Sequence, residues 1–553
     1  MKDWITPAEA ELRPPSDVMR LSRLGAMFPT RLSFLRTLMR RLDREGATLN
    51  RPVWQMNAEG HGHAVYTIRL GGHDYALVAV SNELDPSQRT DRVIATAWDA
   101  AFVLYDGVPD EAEVARIRRE APKQEAGRFG PRDLVLSRAN KSVRLFTHVA
   151  EALRAGRQPD EDPIREIGYL MRTTAVYGNG KFGIADRTRI AARPGLDGPF
   201  MAEMLTVWMI RNFTHDLVSH VGGAPLEPRL RRHLGIGNAT GLGMAPFLVT
   251  HPVLLNNWML ARETALARVR AVEVLTEDQK TCLRNLADTR VPRHLAEWQV
   301  PDPAHQARIE ALAKDFAAFR TRHLTDAALA RSNPIDRALR AAAEVGQDLE
   351  ELVVALVLEP FPDLVDGLEE CMADPLGYVG PGLHRTGALR DAIEDRFGWA
   401  LKTDYQAPDA CRRFWYVSAE KLEPRLGDRH AEPGAERESP LDVARRVRAL
   451  YEALPDEDTC LTTFLATAPE HMMAVERVEI ALSHPYSEIR DNLIAETCLP
   501  IDMLRAKLSL FGATRFDPKS DLWTRITLCQ GAPLPEEMGT GTADDWWLPA
   551  LAP

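Results

Sequence analysis

Through most of this chain, apolar residues recur three and four positions apart, the spacing that lines one face of a helix. Residues 17–24 and 30–45 both fit helices, parted by Pro29. The second carries Arg31, Arg36, Arg40, Arg41 and Arg44, which reads as a solvated basic face. Residues 133–156 fit a helix that stops at a glycine, and from Asp162 the same spacing continues through Ile167, Leu170 and Met171. The clearest buried helix spans 199–221, with proline in its first turn and Gly222-Gly223 closing it. Further helices are expected over 225–234, 244–275, 277–323, 334–370 and 388–397, and a second helical run over 441–511.

One region departs from this pattern. Residues 63–70 and 73–80 are rich in β-branched, aromatic and other apolar residues, and Gly71-Gly72 between them supplies a hairpin turn. Residues 100–105 read as another strand. The expected fold is therefore mainly α (α+β): a multi-helix, bundle-like core with a small antiparallel β module near the N-terminus. Residues 1–132 would hold the first helices and that module. Residues 133–400 would form the main helical domain with its glycine-rich loops, and 401–553 a C-terminal helical region, with Trp546-Trp547 docking the tail.

Composition sharpens this picture only slightly. A chain of 553 residues is expected to fold as about two to four domains. Its six cysteines lie far apart with no CxxC pair, which argues against a zinc cluster or disulfide framework and suits a reducing cytoplasm. There is no apolar run of signal-peptide or membrane-span length, so no membrane is expected as a partner. The formal net charge of −11 makes nucleic acid an unexpected main partner. Arginine outnumbers lysine, a bacterial-like composition.

The densest gathering of glycine, amide, histidine and basic residues lies between Arg172 and Trp258. Tyr177-Gly-Asn-Gly-Lys-Phe-Gly183 reads either as a hairpin tip, because Asn-Gly is a turn signature, or as an anion loop. In the second reading glycines admit backbone N–H groups to the ligand, Lys181 and Arg172 supply charge, and Tyr177 and Asn179 line the site. The GxxxxGK[ST] spacing of a P-loop is absent. Gly235-Ile-Gly-Asn-Ala-Thr-Gly-Leu-Gly243 misses the dinucleotide fingerprint by one position and follows a helical pattern rather than a strand. It reads as a loop entering the next helix, where free amides favour a carboxylate or phosphate and Asn238 and Thr240 bind or cap.

Two histidines are candidate proton carriers, since imidazole titrates near neutrality: His215, and His251 of the His251-Pro252 pair. His215-Asp216 also resembles the metal-binding dipeptide of HD-type phosphohydrolases. That pattern requires an upstream histidine, for which His148 stands ready, and a downstream aspartate, for which no residue stands out. A histidine satisfied inside a core helix is the bland alternative. A second His-Pro pair, His484-Pro485, leads into Glu488, Arg490 and Asn492. Residues 414–425 place aromatics beside Lys421 and Arg425, a recipe for an anionic organic ligand and equally for a strand running into a charged turn. No GxSxG, HExxH or EF-hand loop occurs.

These residues point to an enzyme acting on a small carboxylate- or phosphate-bearing molecule by acid/base chemistry. His215, His251 and Lys181 would be catalytic, and Arg172, Tyr177, Asn179, Asn238, Thr240, Lys421 and Arg425 would bind substrate. No metal ligand is assigned, and the cofactor is left open, as is a homo-oligomer. The alternatives are a metal-dependent hydrolase or oxygenase built from His215, Asp216, His220 and Glu263, and a non-catalytic helical scaffold.

Overall fold

The computed structural model describes residues 12–85, 98–123, 130–178, 190–238, 252–372, 382–404, 414–417, 424–427, 441–490, 501–520, 523–541 and 543–551. Around a large sheet, helices stand where the apolar spacing placed many of them: Phe34–Arg44, Met201–Gly222, Pro252–Arg270, Pro303–His323, Pro334–Val345 and Gln347–Leu358.

The sheet corrects the expected fold class. It has nine strands in the order β1-β2-β3-β4-β5-β6-β7-β11-β10, and so is no small module. The strands β1 (Asn50–Met56), β2 (Gly62–Leu70), β3 (His73–Ser81), β4 (Ala100–Asp106), β5 (Asp133–Lys141) and β6 (Tyr169–Gly178) pair antiparallel in chain order. β7 (Gly235–Asn238) then joins β6 in parallel, which makes the sheet mixed. A C-terminal hairpin, β10 (Arg515–Ser520) and β11 (Trp523–Leu528), completes the sheet through antiparallel pairing of β11 with β7. β8 (Phe414–Val417) and β9 (Pro424–Gly427) form a separate antiparallel pair.

The hairpin at Gly71-Gly72 formed as expected, both glycines having the positive φ that such a turn requires. Residues 133–141, expected as the start of a helix, are instead β5, and the helix Phe146–Arg154 begins only afterwards. After Ile167, Gly168 at φ 76° ends the Glu161–Ile167 helix, and the chain continues as β6 rather than as helix. The physical reason is burial inside the sheet. β5 carries Ser137, Asn140 and Lys141 as buried residues, so it lacks the apolar alternation that marks a half-exposed strand.

Each face of the sheet has its own cover. The Met201–Gly222 helix packs across β3 to β7 and buries Phe213 against Tyr66 and Phe102. The Glu111–Glu120 helix covers the opposite face, where Val65, Val78, Val103 and Leu136 form a separate apolar cluster with Val114 and Ile117. A third cluster lies among the helices Thr386–Lys402, Leu441–Ala453 and Met472–Ser483.

The arginines between residues 30 and 45 also depart from expectation. Arg31, Arg36 and Arg40 are buried, and they meet Glu359, Asp366 and Asp544. Only Arg41 and Arg44, near the end of the Phe34–Arg44 helix, reach solvent. A second, partly buried network joins Arg13, Arg23 and Arg262 to Glu263, Glu350 and Glu351. The tail docks through Trp547, whose indole N–H donates to the Pro29 carbonyl at 2.7 Å. Among the described residues, no helix is long and apolar enough to cross a membrane.

Candidate functional site

The candidate site is built where β6 and β7 run side by side. Because they are parallel, their carboxyl ends face the same way, and each is followed by the rest of its glycine-rich segment. Arg172 lies opposite Gly237, and Thr173 opposite Asn238. β6 then continues along β5 as far as Gly178, which pairs with Val135.

The first half of the second glycine run is strand, which corrects its reading as a loop. Its glycines are set by packing. A Cβ at Gly237 would come within 2.8 Å of the Tyr169 ring, and one at Gly235 would strike the Leu528 carbonyl. Glycine here lets the neighbouring strand and a ring approach the backbone closely.

Successive strand residues point to opposite faces, so the pairing register sorts the polar groups. Arg172 shares its row with Asn140 of β5, and Arg138 stands two residues before Asn140 on the same face as Leu136. The Arg138 guanidinium lies 5.9 Å from the centre of the Trp98 ring. Asn140 is fixed by the Asp99 amide, which donates to its Oδ1 at 2.7 Å, and Asp99 Oδ2 accepts the Lys141 amide at 2.9 Å. Arg172 is 2% exposed.

Thr173 and Asn238 occupy the other face, toward the Met201–Gly222 helix. Asn238 donates through Nδ2 to Thr173 Oγ1, and that hydroxyl donates to the Gly237 carbonyl, both at 3.3 Å. Asn238 is buried, yet its Oδ1 has no partner among the described residues. A buried acceptor without a partner costs stability and invites a donor from a ligand or a water. The structure thus brings Arg172 and Asn238 onto adjoining strands, but on opposite faces.

His215 belongs to neither face's polar row. It is 2% exposed within the Met201–Gly222 helix, and among the described residues its ring nitrogens make no hydrogen bond of good geometry, although the Leu234 carbonyl favours a ring proton slightly. Burial, then the nearby Arg211 cation, hold its pKa well below the usual imidazole value, so it stays neutral. Arg211 is itself fully buried, with its pKa brought down to about 10 by desolvation. Its guanidinium donates to five carbonyls, those of Arg231, Arg232, Leu234, Ala532 and Pro533, tying this helix to the approach to β7 and to the C-terminal segment.

The four residues of the metal reading are not brought together. Asp216 accepts from the Tyr66 hydroxyl at 2.7 Å and from Arg51 at 2.8 Å. His220 Nε2 lies 2.7 Å from the Asn57 carbonyl, and Glu263 is bound to Arg13 and Arg262. Among the described residues, no three His, Cys, Asp or Glu side chains are grouped to hold a metal ion.

Asn179, Lys181, Thr240, His251 and Lys421 lie outside the described residues. Tyr177 and Arg425 are placed by backbone only, opposite Leu136 and Tyr416. Arg138 and Asn140 escaped sequence reasoning because their segment has helical spacing.

The two His-Pro segments do converge. The Tyr486 amide donates to Asn256 Oδ1 at 3.0 Å, seating the second segment against the first turns of the Pro252–Arg270 helix. Glu488, buried beside it, accepts from Arg477 Nη2 at 2.6 Å through one oxygen, while its other oxygen has no partner among the described residues. Burial pushes its carboxyl pKa up, against the pull of Arg477.

No known protein family, curated protein or solved structure matches this chain.

Proposed function

We propose that this chain is an enzyme that binds a small carboxylate- or phosphate-bearing molecule at the β5–β6–β7 end of the sheet and acts on it by acid/base chemistry. One observation carries the reading: β6 and β7 run parallel on adjoining strands, β7 ending at Asn238 opposite Thr173 and β6 running on to Gly178, and each leads in the chain into its glycine-rich segment. On one face there stand Arg138, Asn140 and Arg172, two guanidinium groups and an amide, each already engaged with neighbours in the fold. Paired donors of this kind match the oxygens of a carboxylate or phosphate. The proton-moving groups assigned here are Lys181 and His251, which follow β6 and β7 in the chain. His215 is given a structural role because it is buried and neutral.

The test is thermal stabilisation of the full chain by a panel of small carboxylates and phosphates, followed by the Arg138→Gln and Arg172→Gln variants. A binding anion should raise the midpoint with concentration, since ligand bound only to the fold adds RT ln(1 + [L]/Kd). Both variants should lose that rise. A panel without effect, or an equal rise in all three proteins, would remove the proposal.

A further inference from the structure

Away from the sheet end, a cavity of about 410 Å³ opens between the Phe34–Arg44 helix, the turn at 197–201 and the Leu368–Met372 turn. Its floor is apolar, made by Phe34, Pro199, Met201 and Met372. Its rim is charged, and most of the rim is already satisfied. Arg41 donates to Asp197 at 2.7 Å and to Glu45 at 3.3 Å, and the second oxygen of Glu45 takes the Gly71 amide at 2.7 Å. Glu369 takes the Gly367 amide at 2.6 Å.

Two rim groups are left over. Arg44, on the helix wall, and Glu370, on the 368–372 wall, make no side-chain hydrogen bond or ion pair among the described residues. They are of opposite sign and do not neutralise each other. A simple anion is disfavoured, because acids outnumber arginines around the rim. A simple cation leaves Arg44 unmatched. A molecule with both charges and an apolar body answers the floor and both free groups at once, and the volume lies in the range of small-molecule sites.

We propose that this cavity binds a small zwitterion of the α-amino-acid type with an apolar side chain. Its carboxylate meets Arg44, its ammonium meets Glu370, and its side chain rests on the apolar floor. This site is separate from the one at the sheet end and stands without it.

Isothermal titration of the full chain with L-leucine, L-methionine and L-phenylalanine tests the proposal, with N-acetyl-leucine and leucine amide as probes that each lack one charge. At least one free amino acid should bind. Its acetylated and amidated forms should bind about tenfold more weakly or worse, the value of one charge-assisted hydrogen bond. Arg44→Gln should erase the preference for the free acid over the amide. Glu370→Gln should erase the preference for the free amine over the acetylated form. Both positions are exposed, so the variants should fold. No binding of any of the three amino acids, or binding of the single-charge probes as tight as that of free leucine, would overturn the proposal.

Discussion

Arg36 and Glu359 form a two-pronged ion pair closed off from water, with Nη1 to Oε1 at 2.5 Å and Nη2 to Oε2 at 2.8 Å. The pair clamps the Phe34–Arg44 helix to the residue that follows the Gln347–Leu358 helix. Removing one partner leaves a buried charge without its counter-ion, which costs about 3–5 kcal/mol. Arg36→Met should therefore lower stability by that order. Arg36→Met combined with Glu359→Met should recover most of the loss, because no charge is then stranded. Urea unfolding of the wild type, Arg36→Met, Glu359→Met and the double variant checks this. A double variant as unstable as the sum of the singles would mean that the two groups are not coupled.

Five histidines are buried among the described residues, each with its pKa lowered chiefly by burial, and the four besides His63 do most to make the fold sensitive to acid. Burial, with Arg515 next, takes His233 down to about 3, and burial with Arg505 takes His305 to about 3. His294 falls to about 4, chiefly by burial, and His215 lies well below the ordinary value. In each case the unfolded chain takes up protons that the fold refuses. Stability is therefore full above the unfolded value near 6.5 and declines as pH falls toward the folded values. The decline approaches about 1.4 kcal/mol per pH unit for each such histidine. Ordinary carboxylates join only below about 4.5; Glu297, Glu488 and Asp545, pushed up by burial, work in the opposite sense, and the more numerous histidines set the direction of the change from about pH 6.5 to 4.5. The thermal midpoint should drop across that window, and His294→Gln and His305→Gln should flatten the drop. A wild-type profile that is level between pH 6.5 and 5 would sink the idea.

What could be read in advance divides along a physical line. The Met201–Gly222 helix and the β2–β3 hairpin were legible because their signals are local: a proline near the helix start, glycine at its end, and two glycines at a turn. β5, β6 and β7 were not. Their identity is fixed by neighbours far along the chain, and polar residues and glycine break their apolar pattern. The arginines at 31, 36 and 40 looked solvated because the acids that bury them come from positions 359, 366 and 544. At the candidate site, Arg172 and Asn238 stood out as residue types in a glycine-rich stretch, but their division between two faces is a matter of register. Arg138 and Asn140 gave no signal at all, since nothing local marked β5 as strand.

The glycines of β7 should behave as packing residues. At Gly237 an added methyl meets the Tyr169 ring at 2.8 Å, closer than non-bonded carbons tolerate. Overpacking of this kind costs about 1–3 kcal/mol. Gly237→Ala should lower the thermal midpoint, and Tyr169→Leu in the same chain should relieve part of the loss. If Gly237→Ala instead left stability untouched while abolishing anion binding, the glycine would belong to the ligand site and the packing account would fail.

The C-terminal segment should act as a clasp on the start of the fold. Trp547 is 2% exposed and donates to the Pro29 carbonyl, and Asp544 meets Arg31 at 2.7 Å and Arg40 at 3.3 Å. These contacts differ in kind, so their loss should differ in size. Trp547→Phe removes one hydrogen bond and keeps most of the apolar area, a cost of about 1 kcal/mol plus the small void left by the larger ring. Trp547→Ala opens a cavity as well and should cost about 3–5 kcal/mol. Asp544→Asn keeps the shape but withdraws one of three acids from three buried arginines, and should fall between them. Limited proteolysis gives an independent reading, because a released tail is cleaved first. Cleavage near residue 540 should accelerate in the order Phe, Asn, Ala variants. An unchanged cleavage rate in Trp547→Ala would show that the tail is held by other contacts and that the indole only fills space.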